Sequence, residues 1–248
     1  TVVSLKVDSV PFYLQWIDTP GYGDQVDVRQ GFHHIVNYID KLYERAMEVE
    51  MAAVREENRA FEHLGVDVIL YFISPHRLKE LDLAMLRMLK GKAAIIPILS
   101  KADTMTTDEL RVFRREVSTR LREQGIETFR EPMAIIASPY VVKNAQGESV
   151  IGREYSWGVS QCERDSDLPA LRRVLIAEGL QELQRSRRRY YEAFRAKKMR
   201  EMRGNLPSRM FGFALRTALQ TLVLAGAVYA LHQGAERTGL YEKLDQLR

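Results

Sequence analysis

Three short apolar runs, each ending in a polar loop, constrain the fold of this chain more than any other feature. They are residues 66–73 (VDVILYFI), 93–99 (AAIIPIL) and 133–137 (MAIIA), and helical patterns separate them. Apolar runs of this length, rich in β-branched residues, are typical of strands buried on both faces of a sheet. Strands that alternate with helices predict an α/β fold with a mostly parallel sheet, whose ligand-binding loops lie at one edge.

Helices are predicted before, between and after these strands. An amphipathic pattern runs from residue 32 toward residue 61, and a second, short helix covers 81–89. A third helix is capped near Thr106 and stops at Gly125, and a long helix covers 168–202.

Two strand-like patterns, residues 3–7 and 12–17, predict a hairpin at a sheet edge, the second strand being buried on both faces. This strand is expected to end at Asp18, where a carboxylate can hold Mg²⁺ through a water molecule. The amide of Gly21, just beyond, can approach a phosphate oxygen. An ordinary turn explains Asp-Thr-Pro-Gly equally well, so a second motif has to decide.

The second motif, Ser-Lys-Ala-Asp, follows the predicted strand 93–99 and ends at Asp103. A carboxylate accepts two hydrogen bonds at once from a ring N–H and an exocyclic amine, a donor pair that guanine presents and adenine does not. Asp103 is therefore a candidate guanine selector, and Lys101 can lay its methylene stem over the base. A solvated loop explains this tetrapeptide taken alone, but two such loops, each after a strand, favour a nucleotide site.

Further candidates follow the third apolar run. Ala137 and Ser138 stand at its end, where backbone amides can reach the edge of a base. Residues 152–158 (GREYSWG) combine glycines, an arginine and aromatic residues, which is unlike a core pattern. Arg153 is suited to stack its planar guanidinium on a base, and Trp157 to a protein interface.

Composition excludes several classes of protein. The single cysteine, Cys162, allows no intrachain disulfide and favours a reducing compartment, and no Cys/His spacing typical of a metal site is present. The formal charge of the chain is +4, and its basic residues are concentrated in residues 185–203, where nine Lys and Arg face two acidic residues. A solvated helix face and attraction to anionic lipid or a neighbouring subunit explain this basic run equally well. Nucleic acid is not an expected partner, because interleaved aromatics and a base-reading motif are missing.

Four segments resemble the septins, a family of filament-forming GTP-binding proteins: residues 18–24 (DTPGYGD), 71–82 (YFISPHRLKELD), 100–110 (SKADTMTTDEL) and 152–158 (GREYSWG). The resemblance implies a Ras-like P-loop GTPase fold with a septin-type C-terminal extension. It implies GTP or GDP and Mg²⁺ as ligands, and filaments with itself or other septins as partners. A membrane-associated cytoskeletal role in cell division is implied as well.

The resemblance also assigns roles to single residues. The implied nucleotide-binding residues are Asp18 (with Mg²⁺), Gly21, Lys101, Asp103, Ala137, Ser138 and Arg153. Tyr155 and Trp157 are implied interface residues. Septins pair nucleotide face to nucleotide face, so His76 and Arg77, after the first buried strand, are expected to approach the neighbour's phosphates. Arg77 is a candidate arginine finger acting in trans, with a surface arginine as the alternative.

One family motif is missing. The phosphate-binding pattern G-x-x-x-x-G-K-[ST] occurs nowhere; Gly91-Lys92 is the only Gly-Lys pair, and Leu86 stands in place of the first glycine. A truncated N-terminus is favoured over true loss of the loop. The chain as given is expected to bind GTP poorly and to hydrolyse it negligibly, whereas a full-length form would be a slow GTPase. The alternative is a non-catalytic septin-like membrane scaffold.

The chain is expected to divide at residues 150, 203, 209 and 231. The parts are a partial G domain (1–150), the septin element with its basic helix (151–203), a linker (204–209), an apolar segment (210–231) and a polar tail (232–248). The apolar segment is long enough to cross a bilayer, although Arg216 and Gln220 interrupt it. We expect a tail anchor on the cytoplasmic face of a membrane; a helix lying in the interface or packed on another subunit is the alternative.

Overall fold

The structure is a computed structural model that describes residues 2–7, 10–19, 28–51 and 64–204. The chain divides into two compact units, Thr1–Arg195 and Ala196–Arg248. Of the second unit, only residues 196–204, at the end of the last helix, are described. The predicted boundary after residue 150 falls inside a strand, Ser149–Tyr155, and the predicted domain division itself stays a prediction.

An antiparallel hairpin forms the N-terminal part of the first unit, as predicted. It consists of β1 (Val2–Val7) and β2 (Val10–Gln15), with Val3 opposite Leu14. Among the described residues, these strands form a two-stranded sheet of their own.

The expectation that the second strand of this hairpin is buried on both faces is wrong. Tyr13 is 71% exposed, and Trp16 and Ile17 are exposed as well. Side chains on the faces of a two-stranded ribbon have few neighbours on the same face, and they are buried only where another element packs on them. The strand also ends at Gln15, before the predicted end, so Asp18 lies in the loop beyond it.

The middle of the chain alternates helices and strands, as the apolar runs predict. The elements in order are α1 (Val28–Met51), β3 (Val68–Ile73), α2 (Glu80–Leu89), β4 (Ala94–Ser100), α3 (Thr107–Glu123) and β5 (Met133–Ile135). The strands pair in parallel in the order β3-β4-β5, with Leu70 opposite Ile96 and Leu99 opposite Ala134. The predicted α/β fold with a parallel sheet is confirmed.

Strand β4 is the centre of the core. Every residue from Ala94 to Leu99 is buried, and alternate side chains enter different clusters. Ile95 and Leu99 pack with side chains of the helices α1, α2 and α3, and Ile96 and Ile98 pack with the residues 168–175 on the other face. Apolar side chains on both faces explain why the sequence shows a continuous apolar run rather than alternation.

Strand β3 is less buried than its sequence predicts. Phe72, which lies opposite Ile98, is 62% exposed, while its neighbours Tyr71 and Ile73 are buried. In the described part of the chain β3 pairs only with β4, so one of its sides has no neighbouring strand. An edge position explains why an apolar side chain of β3 is left uncovered.

The helix α3 begins and ends as the sequence predicts. Thr106 is its N-cap: the Thr106 hydroxyl accepts a hydrogen bond from the Glu109 amide, and the Glu109 carboxylate accepts one from the Thr106 amide. These reciprocal bonds satisfy two backbone donors at the start of the helix. The bond from the Thr106 amide, together with one from the Thr106 hydroxyl, lowers the pKa of the Glu109 carboxyl. Gly125 follows the helix at φ +61°, a conformation that glycine adopts without strain.

A second, antiparallel sheet follows, made of β6 (Val141–Lys143), β7 (Ser149–Tyr155) and β8 (Gly158–Gln161). A turn at residues 144–147 joins β6 to β7. There the Asn144 side-chain oxygen accepts hydrogen bonds from the amides of Gln146 and Glu148, and Gly147 has φ +81°. An Asx turn followed by a left-handed glycine is a common way to close a hairpin.

The predicted helix 168–202 is two helices, α4 (Leu168–Ile176) and α5 (Leu180–Gly204). A Cβ on Gly179 would lie 2.3 Å from the carbonyl oxygen of Val174, so the chain turns sharply where only glycine fits. The apolar spacing continues across this break, which is why periodicity alone missed it. Arg187 of α5 is buried and forms an ion pair with Asp67, the residue before β3, with an N···O distance of 3.0 Å.

The apolar segment 210–231 and the tail lie outside the described residues, as do residues 205–209 of the predicted linker 204–209, whose first residue, Gly204, is the end of α5. No helix in the ranges that the structure does describe is long and apolar enough to cross a membrane. The predicted membrane span therefore stays a prediction.

Ile98 and Phe72 are neighbours across β4 and β3 and offer a test of this core. Ile98→Ala should lower the free energy of unfolding by about 2–5 kcal/mol, because it leaves a cavity beneath a fully buried strand. Phe72→Ala should change it by less than about 1 kcal/mol, because the ring is mostly exposed. Urea unfolding of both variants measures the difference. Equal losses would contradict the edge position of β3.

Candidate functional site

The loops after β3 and β4 are tied together at the carboxyl edge of the parallel sheet. The Ser100 hydroxyl, at the end of β4, donates a hydrogen bond of 2.8 Å to the carbonyl of Ile73, at the end of β3. Lys101 follows at φ +50°, a left-handed conformation that is uncommon for a residue with a side chain, and begins a short 3-10 turn, Ala102–Thr104. The Lys101 side chain is exposed, and Asp103 is in the turn. The hydrogen bond of Ser100 was not foreseen from the sequence.

The Asp103 carboxylate is almost completely buried, with 1% of its side chain exposed. One oxygen, Oδ2, accepts a hydrogen bond of 2.6 Å from the Tyr155 hydroxyl. The Arg153 guanidinium lies 3.6 Å from the same oxygen, close enough for an ion pair. The other oxygen, Oδ1, is buried and has no hydrogen-bond partner within the described part of the chain.

Arg153 connects two loops of this edge. Its Nη2 donates a hydrogen bond of 3.1 Å to the carbonyl oxygen of Ala137, just after β5, while its Nη1 faces Asp103. Ser138, the next residue, is half-buried, and its hydroxyl accepts a hydrogen bond from the Tyr140 amide. The structure thus brings together Asp103, Ala137 and Arg153, which the sequence predicted to share one site.

The geometry of β7 explains why Arg153 and Tyr155 reach the same carboxylate. Alternate residues of a strand point to the same face, so these two side chains project together and Glu154 projects away and is exposed. Strand β8 holds β7 in register, with Arg153 opposite Ser160 and Tyr155 opposite Gly158.

Gly152 permits the close pairing of these strands. A Cβ at this position would lie 2.3 Å from the carbonyl oxygen of Ser160, so no other residue fits without moving the backbone. The glycine that opens the GREYSWG segment therefore sets the distance between β7 and β8. The pairing that Gly152 permits also fixes where the side chains of Arg153 and Tyr155 lie.

Tyr155 and Trp157 form a stacked pair. Their ring centroids are 5.0 Å apart and their planes differ by 8°, and Trp157 is 67% exposed. Hydrogen bonding to the Asp103 carboxylate raises the pKa of Tyr155, because losing the phenolic proton would place two negative charges together. The interface role predicted for Tyr155 stays a prediction; the structure shows that its hydroxyl enters the site, a contact that the sequence did not suggest.

The remaining candidates lie at the loops after β2 and β3. His76, at φ +62°, and Arg77 are both exposed in the loop that follows β3. Asp18 is exposed, and Gly21 lies outside the described residues. Within the ranges that the structure describes, no group of three or more His, Cys, Asp or Glu side chains is arranged to hold a metal ion. The predicted Mg²⁺ contact of Asp18 and the phosphate contact of Gly21 stay predictions.

Comparison with known proteins identifies the family. The family model described as Septin matches residues 1–208, which is most of the chain. The chain belongs to the septin family. The solved septin GTPase domain from Chlamydomonas reinhardtii is similar in structure, with a TM-score of 0.62 and 29% sequence identity, over 79% of this chain and 80% of that one.

Two septins illustrate the similarity in sequence. Septin-8-A of Danio rerio is 32% identical over 221 residues, which cover 80% of this chain and 52% of that protein. Septin-14 of Homo sapiens is 31% identical over 221 residues, covering 80% and 51%. The chain thus spans about half the length of these septins.

Gly152→Ala tests the role of the β7–β8 pairing in the site. We expect a loss of about 1–3 kcal/mol in the free energy of unfolding, because the new methyl group overlaps the Ser160 carbonyl. The shift of β7 should also disturb the Tyr155–Trp157 stack and change the fluorescence of Trp157, measured with Trp16 replaced by Phe. Glu154→Ala, on the exposed face of the same strand, is the control and should change neither. A stable Gly152→Ala variant with unchanged fluorescence would show that the close approach is unimportant.

Proposed function

We propose that this septin-family chain binds the base of a guanine nucleotide at the carboxyl edge of its parallel sheet. The observation that carries the proposal is the free Oδ1 of Asp103, a buried carboxylate oxygen without a hydrogen-bond partner among the described residues. Guanine presents an N1–H and a 2-amino group side by side, and a carboxylate can accept from both. Adenine presents an acceptor in place of that N1–H, so the same oxygen would be left unpaired.

The surroundings of the carboxylate support base recognition rather than a structural role. A hydrogen bond formed inside a site of low polarity is stronger than one formed in water, and an unpaired buried acceptor is correspondingly costly. The guanidinium of Arg153 lies 3.6 Å from Oδ2 and adds a positive charge beside the carboxylate. Lys101 is exposed beside the turn, where its stem is available to cover the base.

Ala137, Ser138 and Arg153 are the proposed contacts at the other edge of the base. The Ala137 carbonyl is engaged by Arg153, which joins the loop after β5 to the carboxylate loop. A base seated against Asp103 would therefore lie beside a guanidinium that is already held by two protein groups. This arrangement limits the ordering cost that a free arginine would have on binding.

The phosphate side of the site is proposed for a form that contains a phosphate-binding loop. Mg²⁺, when bound, neutralises charge that develops on the transferred phosphoryl group. We propose Asp18 as its water-mediated contact, Gly21 as a phosphate contact and Arg77, with His76, as residues that act on a partner's nucleotide. Slow GTP hydrolysis is proposed only for a form that contains a phosphate-binding loop, since the chain shows no such pattern.

Assembly with itself or with other septins is proposed from family membership and from the exposed Trp157. A large aromatic side chain that is stacked on one face and open on the other suits the centre of a protein interface.

A septin-like scaffold that assembles without nucleotide is the second candidate. The missing phosphate-loop pattern favours it, whereas the free Asp103 oxygen favours the nucleotide-binding form.

Asp103→Asn tests the base contact directly. An amide in place of the carboxylate offers a donor toward the donors of guanine, so GDP binding should weaken by at least about tenfold, and xanthosine diphosphate should bind better than before. Calorimetric titration of the chain with each nucleotide measures the change. Asp108→Asn, an exposed carboxylate in the first turn of α3, is the matched control. Unchanged GDP affinity in Asp103→Asn would rule out the assignment.

Membrane attachment is proposed from the apolar segment 210–231 and the basic run 185–203 before it. Basic residues on one side of a span favour the cytoplasmic side of a membrane, which is the location we propose. In cells that express the chain, the protein should stay in the membrane fraction after carbonate extraction, and deletion of 210–231 should release it. A soluble full chain would disprove the tail anchor. Retention of the deletion variant would instead point to attachment through the basic helix.

A further inference from the structure

We infer that Tyr155 is a positioning residue for base recognition, which holds Asp103 by one carboxylate oxygen and leaves the other as the acceptor for the base. The inference rests on the proposed guanine site and goes beyond it, because Tyr155 is a residue of the antiparallel sheet and not of the loop that carries the carboxylate. It assigns to Tyr155 a role in nucleotide specificity rather than in assembly.

The contact between the two side chains has the geometry that such a role needs. The hydroxyl donates to Oδ2 at 2.6 Å, within the range of short O–H···O⁻ hydrogen bonds. Arg153 lies 3.6 Å from this oxygen, which is too far for a hydrogen bond, and it contributes charge rather than direction. In the described part of the chain, Tyr155 is therefore the one hydrogen-bond donor to the Asp103 side chain.

Fixing one oxygen restricts rotation of the carboxylate about its terminal bond. An unrestrained aspartate rotates broadly about this bond, and a base that needs two hydrogen bonds from it would have to order it on binding. With Oδ2 held, Oδ1 keeps one position relative to the turn. A preorganised acceptor of this kind improves discrimination between bases that differ by a single donor.

The position of the hydroxyl is itself fixed by two features of the antiparallel sheet. The Tyr155 ring stacks on Trp157 with nearly parallel planes, which restricts its rotation. The pairing of Tyr155 with Gly158 sets the height of the ring along β7. Phenylalanine would preserve both features, so the hydroxyl can be removed without removing the ring.

The experiment compares GDP with inosine diphosphate, whose base lacks the 2-amino group of guanine. Dissociation constants of both are measured by ligand-observed NMR for the chain and for Tyr155→Phe. In the unchanged chain GDP should bind more tightly than inosine diphosphate. In Tyr155→Phe this preference should fall by about fivefold, the factor that corresponds to one ordinary hydrogen bond. A merely structural role would weaken both nucleotides equally and leave the ratio unchanged.

Tyr140→Phe is the matched control, because Tyr140 is an exposed tyrosine near the same loop and its hydroxyl makes no contact with Asp103. It should leave the preference as in the unchanged chain. An unaltered preference in Tyr155→Phe, with GDP binding retained, would overturn the positioning role and leave the proposed guanine site intact. Failure of the unchanged chain to bind GDP at all would count against the proposed function, and the role in specificity would fall with it.

A second measurement needs no nucleotide and tests the hydrogen bond between Tyr155 and Asp103 itself. Asp103→Ala, Tyr155→Phe and the double variant are compared by urea unfolding in a double-mutant cycle. If the hydroxyl holds the carboxylate, Tyr155→Phe should shift the unfolding midpoint in the unchanged background and should have much less effect once Asp103 is alanine. Additive shifts would show that the two side chains do not interact and would overturn the inference independently of the nucleotide data.

Discussion

The buried carboxylate of Asp103 is the group on which the arrangement of this edge depends. An ionised side chain that is removed from water without partners costs several kcal/mol, so the turn after β4 cannot hold Asp103 inward by itself. Its hydrogen-bond donor, Tyr155, comes 52 residues later, and the nearby positive charge of Arg153 comes from the same strand. The parallel sheet supplies the carboxylate and the antiparallel sheet supplies what stabilises it, so neither sheet forms this site alone.

The parallel sheet can supply that carboxylate because β4 is buried on both faces. A strand held by neighbours on both sides and packed on both faces has little freedom, and its last residue enters the loop in a fixed direction. The hydrogen bond from Ser100 to the Ile73 carbonyl then restrains the start of the loop. The serine adds a restraint where the backbone takes the left-handed conformation at Lys101.

The sequence predicted those parts of the structure that depend on interactions between residues close together in the chain. Three local signals agree with the structure, and each depends on only a few neighbouring residues. They are the apolar run of β4, the cap of α3 at Thr106 and Glu109, and the left-handed Gly125 that follows this helix. Exposure of Phe72 was missed because it depends on how many strands flank β3. The contact of Tyr155 with Asp103 was missed because no periodicity relates residues that far apart. The signal available was the spacing of Arg153 and Tyr155, two residues apart on one strand, which places both on one face.

A buried polar atom without a hydrogen-bond partner indicates a binding site only when no structural contact explains it. Another pair of such atoms among the described residues can be compared with Asp103. Asp67 Oδ1 and Arg187 Nε also lack a well-aligned hydrogen bond, yet these two side chains form an ion pair with an N···O distance of 3.0 Å. The charge of Arg187 offsets part of the loss of water, although burial still raises the pKa of Asp67, so a structural ion pair between α5 and the residue before β3 accounts for these atoms. Asp103 differs because its neighbours, the Tyr155 hydroxyl and the Arg153 guanidinium, both face Oδ2. Among the described residues, Oδ1 is left without donor or charge, and this is the difference on which the proposed base contact rests.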